Sequence, residues 1–179
     1  FDEDGIADLA ATSGDSVAVL LGSGSGGVGN GIFGAAVRFG AGTGASHLAA
    51  GDFNEDGRLD LAVTNNDAAS NSVSILLGNG SGPVGDGTFA AAVDYTVGEE
   101  PWGLATGDFN EDGIADLAVA NVGDNSMSVL LGNGSGGVGD GTFAPQVTYP
   151  FSKPVLIPRK LEVADIDGDG IAALLLAYQ

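Results

Sequence analysis

The sequence predicts an all-β fold made of β-propeller-type repeats, with four-stranded antiparallel blades and about three blades in the chain. Three observations support this prediction. The chain repeats itself with a period of about 56 residues, each repeat holds four short β-prone runs, and turn residues separate those runs. No stretch shows a convincing helical period with caps. We therefore expect residues 1–179 to form a single repeat array with the length of one domain.

The repeat is clearest in three glycine-rich segments. They read SVAVLLGSGSGGVGNGIF, SVSILLGNGSGPVGDGTF and SMSVLLGNGSGGVGDGTF, and they end at Phe33, Phe89 and Phe143. Acidic segments of similar sequence recur with the same period. The repeats divide the chain into units of approximately 1–46, 47–100, 101–150 and 151–179, of which the first and the last are partial blades.

Each unit is expected to order its strands in the same way. After the acidic segment comes a short run such as 61–63, and after a polar turn a second run such as 75–77. Both runs are apolar without alternation, which is typical of strands covered on both faces. A glycine-rich loop leads to a third strand, and a fourth, such as 102–106, enters the next acidic segment. Period-two alternation predicts one shared face for Phe89, Ala91, Val93 and Tyr95 of the third strand.

Radial repetition of such sheets produces a β-propeller, in which inner strands are covered on both faces. A β-solenoid or a β-sandwich is the alternative architecture. A unit of about 56 residues is too long for a solenoid coil, and the repeat is too regular for a sandwich. The propeller is therefore the favoured architecture.

Composition excludes several classes of function. The formal net charge of −19 disfavours nucleic acid as a partner. The absence of cysteine excludes disulfides and thiolate metal sites, and the single histidine, His47, excludes a two-histidine site. The longest apolar run, 171–178, is far shorter than the ~20 residues of a membrane-spanning helix. No Ser-His-Asp set, Cys-His pair or phosphate loop can be assembled, so we expect no enzyme.

The acidic segments have the pattern of a calcium-binding loop. In DFNEDGRLD (52–60) and DFNEDGIAD (108–116), oxygen-bearing side chains occupy positions 1, 3, 5 and 9. Glycine at position 6 permits a positive φ, which lets the carbonyl of position 7 point inward. Ca²⁺ takes about six to eight oxygen ligands, whereas Mg²⁺ demands stricter octahedral geometry and keeps its waters. The lack of sulfur and imidazole ligands argues against zinc and copper. An EF-hand is excluded because position 12 is Val63 or Val119 and the flanks are strands.

The predicted calcium ligands are side chains at positions 1, 3, 5 and 9 and backbone carbonyls at position 7. They are Asp52, Asn54, Asp56, Arg58 and Asp60; Asp108, Asn110, Asp112, Ile114 and Asp116; Asp2, Asp4, Ile6 and Asp8; and Asp165, Asp167, Asp169 and Ile171. The last two sets are incomplete and are expected to bind more weakly. The alternative is a solvated turn, since Asp, Asn and Gly favour turns. Repetition at a fixed period with an aspartate at position 9 favours the metal loop.

The segments GDFNEDGRLDLAV and GDFNEDGIADLAVAN, each followed by a VSILLGNG-type strand and a GDGTF turn, resemble the FG-GAP/VCBS repeats. These integrin-α-like repeats are common in bacterial secreted and surface proteins. The resemblance covers essentially the whole chain. It implies a propeller of about seven four-stranded blades, with Ca²⁺ between the first and second strands of a blade. The Gly-Ala-Pro of the integrin repeat is replaced by Ala-Val-Thr-Asn or Ala-Val-Ala-Asn, so integrin-type adhesion specificity is not implied.

Three units cannot close a ring that needs at least about four blades. We therefore expect the missing blades to come from further sequence or from other copies of the chain as a homo-oligomer. Residue 1 is Phe, which suggests a processed chain or a fragment. The expected function is a calcium-stabilised extracellular or cell-surface scaffold for adhesion, assembly or protein binding. The alternative is a carbohydrate-binding lectin, in which Trp102 stacks on a sugar or instead packs between blades. An accessory domain of a secreted enzyme is a further alternative.

Overall fold

The computed structural model describes residues 1–151, 158–164 and 173–178, and it describes the side chains of residues 1–151 and 161–164. Every regular element in this part of the chain is a β-strand. The strands are β1 Leu9–Thr12, β2 Ser16–Leu20, β3 Gly22–Ser25, β4 Val28–Phe33, β5 Val37–Gly40, β6 Ala45–Gly51, β7 Asp60–Asn65, β8 Ser72–Leu76, β9 Gly78–Ser81, β10 Val84–Phe89, β11 Val93–Thr96, β12 Pro101–Gly107, β13 Asp116–Asn121, β14 Ser126–Leu130, β15 Gly132–Ser135, β16 Val138–Phe143, β17 Val147–Pro150, β18 Pro158–Ala164 and β19 Ala173–Tyr178.

The strands form antiparallel sheets in a repeated order. Two sheets have four strands, in the orders β6-β7-β8-β11 and β12-β13-β14-β17. The first sheet has three strands, β1-β2-β5, and β18 pairs with β19. The described sheets do not close into a ring, and the all-β prediction of a partial propeller with four-stranded antiparallel blades is confirmed. No helix in the described residues is long and apolar enough to span a membrane.

The second strand of each complete blade is buried along its whole length. All residues of β7 and β13 are buried, as the unbroken apolar runs predict. Alternate residues of β7 face different neighbours: Leu61 and Val63 pack with the first sheet, whereas Ala62 packs with the third. The sheets are therefore stacked face to face, and the two largest clusters of buried residues lie between them.

The glycine-rich segments form two-stranded hairpins, β3–β4, β9–β10 and β15–β16, which lie in the chain between the last two strands of each sheet. The prediction that Phe89 and Val93 share a face of one strand is wrong. Phe89 ends β10 and is 7% exposed, whereas Val93 begins β11 and is 56% exposed. The register of the hairpin shifts between Gly85 and Phe89, where Gly87 has a φ of 74°. This irregularity turns the phenylalanine inward between the sheets.

The acidic loops and the hairpins lie at the same end of the sheets. Loop 52–60 leads into β7, and Leu61 pairs with Leu76 at the end of β8. The hairpin follows β8 directly, and β11 begins opposite Ile75. Turn 66–71 and connection 97–100 lie at the other ends of these strands. Each acidic loop is therefore positioned beside the hairpin of its own unit.

Candidate metal centre

Loops 52–60 and 108–116 share one hydrogen-bond pattern, organised by the aspartate at position 1. Asp52 accepts hydrogen bonds from the backbone N–H groups of Asp56 (3.1 Å) and Gly57 (2.9 Å). Asp108 accepts the equivalent bonds from Asp112 and Gly113. Gly57 has a φ of 88° and Gly113 one of 86°. The glycine at position 6 therefore supplies the left-handed turn that the sequence pattern requires.

The aspartate at position 9 is fully buried and joins the loop to the hairpin of its unit. Asp60 accepts hydrogen bonds from the backbone N–H of Phe53 (2.8 Å) in the loop and of Gly78 (2.7 Å) in β9. Asp116 accepts the same two bonds from Phe109 and Gly132. The closing aspartate is thus a structural hub, a role that the ligand pattern alone does not reveal.

Burial raises the pKa of the Asp60 carboxyl above its ordinary value, and the nearby charges of Asp56 and Asp52 act in the same direction. The two backbone N–H groups oppose this shift without cancelling it. The pKa of Asp116 is raised for the same reasons, with Asp112 and Asp108 as its charged neighbours. Each loop therefore holds mutually repelling carboxylates, one of them buried, and a cation would relieve that repulsion.

The donor chemistry of both loops fits a hard cation, because every predicted ligand atom is an oxygen. In this structure the side-chain oxygens at positions 1, 3 and 5 accept hydrogen bonds from within the loop. Asn54 Nδ2 donates to Asp56 Oδ2 at 2.8 Å, and Asn110 Nδ2 donates to Asp112 Oδ2 at 2.9 Å. No group of three or more His, Cys, Asp or Glu side chains in the described residues is arranged to hold a metal ion. A cation bound here would compete with these contacts.

The two central loops differ at position 7. The guanidinium of Arg58 forms an ion pair with Asp56 and donates to the backbone carbonyls of Gly78 (3.0 Å) and Gly82. In the other loop Ile114 takes this position and is 4% exposed. The sequence pattern assigns both residues a carbonyl ligand only. The Arg58 side chain adds a positive charge to the first of these loops.

The first acidic loop repeats part of this pattern. Asp8 accepts a hydrogen bond from the backbone N–H of Gly22 (2.8 Å) in β3, as Asp60 does from Gly78. The amino group of Phe1 pairs with Asp8. Asp4 accepts from the backbone N–H of Ile6 at 2.8 Å. The predicted ligands Asp165, Asp167, Asp169 and Ile171 lie outside the described residues.

Loop 52–60 also contacts the hairpin of the following sheet. The backbone N–H of Gly141 donates to the carbonyl of Phe53 at 3.1 Å, and that of Gly139 donates to Glu55 Oε1 at 3.4 Å. The rings of Phe53 and Phe143 meet edge to face, with centroids 5.6 Å apart. The loop is therefore held between the hairpins of two sheets, which the repeat pattern does not predict.

Trp102 lies on β12 and packs against the preceding sheet. Its ring centroid is 5.2 Å from that of His47 on β6. Its backbone carbonyl accepts a hydrogen bond from Thr64 Oγ1 at 3.0 Å. These contacts favour the inter-blade role of Trp102 over a sugar-stacking role.

Comparison with known families gives one family and three matches. The model of the FG-GAP-like repeat matches residues 1–63, 52–119 and 108–176. Consecutive matches overlap on the two central acidic loops. Each match therefore begins at one acidic loop, runs through the following acidic loop and ends in the strand that comes after it. No curated protein matches the chain. Because the matches together extend from residue 1 to residue 176, the chain belongs to the family of FG-GAP-like repeat proteins.

Proposed function

We propose that this chain is a calcium-stabilised scaffold outside the cell or at its surface, where it serves adhesion, assembly or protein binding. One observation carries the proposal: oxygen-rich loops recur at the same end of successive sheets, and each central loop contains a buried aspartate with a raised pKa. Neutralising this charge with a bound cation would stabilise the loop and the hairpin that the aspartate joins to it.

Calcium suits this role for two reasons. It accepts the flexible all-oxygen coordination that these loops can offer, and extracellular modules bind it with a Kd of ~10⁻⁴–10⁻³ M. An ion that binds only the folded loop stabilises the fold by ~2.7 kcal/mol per site at 100 times its Kd. The net charge of −19 adds a general attraction for cations.

We propose a scaffold rather than an enzyme. The buried carboxylates of Asp60 and Asp116 each accept two backbone hydrogen bonds, which fix them in the fold. A general acid or base must instead reach the proton of a substrate. The position of these aspartates suits a structural role better than a role in proton transfer.

Thermal unfolding with Ca²⁺ against EGTA tests the calcium proposal, with Mg²⁺ as the specificity control. We expect Ca²⁺ to raise the Tm, and Asp112→Ala to remove the share of that rise due to loop 108–116. Asp140→Ala is the matched control, because Asp140 is exposed on β16 and outside the loop. A Tm that millimolar Ca²⁺ does not raise would refute the proposal, as would equal losses in the two variants.

Carbohydrate binding is a second candidate function, favoured by a groove of about 400 Å³ between the second and third sheets. Tyr95, Asp94 and Gln146 contribute to its lining. An aromatic ring beside a carboxylate and an amide offers a sugar both a stacking surface and hydrogen bonds.

A glycan array tests this function. Binding that is lost in the Tyr95→Ala variant would support it. Tyr149→Ala is the control, since Tyr149 occupies the corresponding position of the third sheet and does not line the groove. Binding unaffected by Tyr95→Ala, or none at all, would exclude the groove as a sugar site.

A further inference from the structure

Loop 52–60 alternates predicted metal ligands with residues that contact the next hairpin. The ligands occupy positions 1, 3 and 5, whereas positions 2 and 4 are Phe53 and Glu55. The carbonyl of Phe53 accepts a hydrogen bond from the backbone N–H of Gly141 at 3.1 Å. Glu55 Oε1 accepts one from the backbone N–H of Gly139 at 3.4 Å. A ligand that moves onto an ion therefore also moves its neighbours in sequence, which contact the hairpin of the following unit.

The same hairpin, β15–β16, is held by loop 108–116, the acidic loop of its own unit. The side chain of Ile114, at position 7 of that loop, lies against the hairpin glycines. A Cβ on Gly134 would lie 2.8 Å from Ile114 Cδ1. A Cβ on Gly139 would lie 3.2 Å from Ile114 Cγ2 and 2.4 Å from the carbonyl oxygen of Phe53. Gly139 therefore lies between the two loops, and we call β15–β16 the shared hairpin.

Hydrogen bonds connect the position-9 aspartates of the two loops through the shared hairpin. Asp60 accepts a bond from the backbone N–H of Phe53 at 2.8 Å, and the Phe53 carbonyl accepts one from Gly141. Gly141 and Gly132 lie on the two paired strands of the hairpin. The backbone N–H of Gly132 donates to Asp116 at 2.8 Å. A continuous series of contacts therefore joins one predicted metal site to the next.

We propose that loops 52–60 and 108–116 bind calcium with positive cooperativity, and that the shared hairpin transmits the effect. The coupling is positive because one position of the hairpin satisfies the hydrogen bonds of both loops at once. Once an ion orders one loop, the hairpin is held in that position, and less entropy remains to be lost at the other loop. The coupling is reciprocal, so each loop raises the affinity of the other by the same factor. This inference rests on the proposed calcium function and adds its regulation.

Charge acts against this coupling. The formal charge is −3 for loop 52–60 and −4 for loop 108–116, so the first ion weakens the negative field that attracts the second. Salt screens this effect, with a Debye length of about 8 Å at physiological ionic strength. The contribution of the hairpin does not depend on such a field. The coupling factor should therefore persist or grow as KCl is added, even though the affinity of each loop falls.

A calcium titration followed by ¹H–¹⁵N NMR spectroscopy measures the two loops separately. Gly57 and Gly113 are the reporters, because each donates its backbone N–H to the position-1 aspartate of its own loop. Asp112→Ala disables loop 108–116, and the midpoint of the Gly57 titration should then move to at least about fivefold higher Ca²⁺. Asp56→Ala disables the other loop and should move the Gly113 midpoint by the same factor.

Gly139→Ala separates coupling from binding. The added methyl group would clash with the Phe53 carbonyl, so the contact between the loop and the shared hairpin must open. In this background, Asp112→Ala should leave the Gly57 midpoint unchanged. Gly40→Ala is the matched control, because a Cβ there would meet no heavy atom within 4 Å. The shift of about fivefold should remain in the control background.

A second pair of variants tests the coupling with a smaller disturbance of the fold. Glu55→Ala removes a side chain that contacts the shared hairpin, and it should reduce the shift of the Gly57 midpoint that Asp112→Ala causes. Glu111→Ala removes an equal charge at the same position of the other loop, where the side chain is exposed. That variant should leave the shift in place.

The possible outcomes distinguish this inference from the calcium function on which it rests. A Gly57 midpoint that Asp112→Ala does not move would overturn the cooperativity and leave calcium binding intact. A shift that persists undiminished with both Gly139→Ala and Glu55→Ala would also overturn it, since the coupling would not pass through the shared hairpin. If neither reporter responds to millimolar Ca²⁺, the calcium function is refuted and the cooperativity is refuted with it.

Discussion

Phe53 and Phe143 belong to different repeat units, and their rings meet edge to face with centroids 5.6 Å apart and planes at 74°. Tyr95 also contacts Phe143 edge to face, with its ring centroid 5.6 Å from that of Phe143. Phe53 follows the first ligand position of its acidic loop, and Phe143 ends β16. The loop of one unit is thereby locked to the hairpin of the next, which joins neighbouring blades at the end where the predicted metal ligands lie.

Replacing Phe143 with alanine should destabilise the fold by about 3 kcal/mol, because it removes a buried aromatic side chain from the contact between two sheets. Urea denaturation in EGTA measures the free energy of unfolding. Phe33→Ala is the matched control: Phe33 holds the same place in the first hairpin but is 37% exposed. At concentrations where the chain is monomeric it should cost less than about 1 kcal/mol. Equal losses in the two variants would contradict the inter-sheet role of Phe143.

Asp60→Ala should destabilise the metal-free chain by about 2 kcal/mol. The substitution leaves the buried N–H groups of Phe53 and Gly78 without their acceptor, at about 1–3 kcal/mol each. Removal of a buried charge offsets part of that loss. Asp56→Ala in the same loop is the control. The partly exposed ion pair between Asp56 and Arg58 contributes no more than about 1 kcal/mol to the free energy of unfolding. Urea denaturation in EGTA separates the two variants, and similar losses would show that Asp60 is not a structural hub.

The sequence was sufficient to predict the all-β repeat fold, because local composition carries the relevant information. The unbroken apolar runs of β7 and β13 reflect burial on both faces, and the glycine at position 6 of each acidic loop reflects a positive φ. The aspartate at position 9 was expected as a ligand. Its two hydrogen bonds to backbone were not expected, since one of them reaches a glycine of the hairpin that no local pattern connects to the loop.

The contacts of the hairpins could not be predicted either, because they too join residues that no local pattern connects. Glycine-rich segments suggest a flexible loop, yet Gly85 and Gly139 are required because another unit's carbonyl approaches too closely for a side chain. Alternation from Phe89 to Tyr95 suggested one strand, but a hairpin irregularity separates Phe89 from β11. Contacts between units depend on how the sheets stack, which is not encoded in the spacing of residues along one unit.

Exchange of the residues at position 7 should change the calcium affinity of the two central loops in opposite directions. Arg58→Ile removes a guanidinium that pairs with the predicted ligand Asp56, so the affinity of loop 52–60 should rise about fivefold, or about 1 kcal/mol. Ile114→Arg should lower the affinity of loop 108–116. Isothermal titration with Ca²⁺ measures both. Lys153→Ile, which removes a charge outside the loops, is the control for net charge. If the Arg58→Ile chain binds Ca²⁺ no more tightly than the control, the guanidinium does not compete with calcium for Asp56.

Asp86 and Asp140 should titrate at unusually low pH because of a hydroxyl group on the same hairpin. The Thr88 hydroxyl donates to Asp86 Oδ1 at 2.6 Å, and the Thr88 backbone N–H donates to the same oxygen at 2.9 Å. These bonds favour the ionised form and hold the pKa of Asp86 below its ordinary value of 3.8. Thr142 lowers the pKa of Asp140 in the same way. A carboxyl with a lowered folded pKa contributes stability that is fully present above pH 3.8 and is lost as the pH falls through the folded pKa.

Thr88→Val removes the hydroxyl but keeps the backbone N–H, so the pKa of Asp86 should return only part of the way to its ordinary value. Carboxyl ¹³C chemical shifts followed from neutral to acidic pH measure this change. Asp140 serves as an internal control, because its own threonine is untouched and its titration should not move. Thr142→Val should give the reciprocal result. If both aspartates respond to one substitution, or neither responds, the threonine hydroxyls are not the cause of the lowered pKa values, since the negative field of the chain would raise them instead.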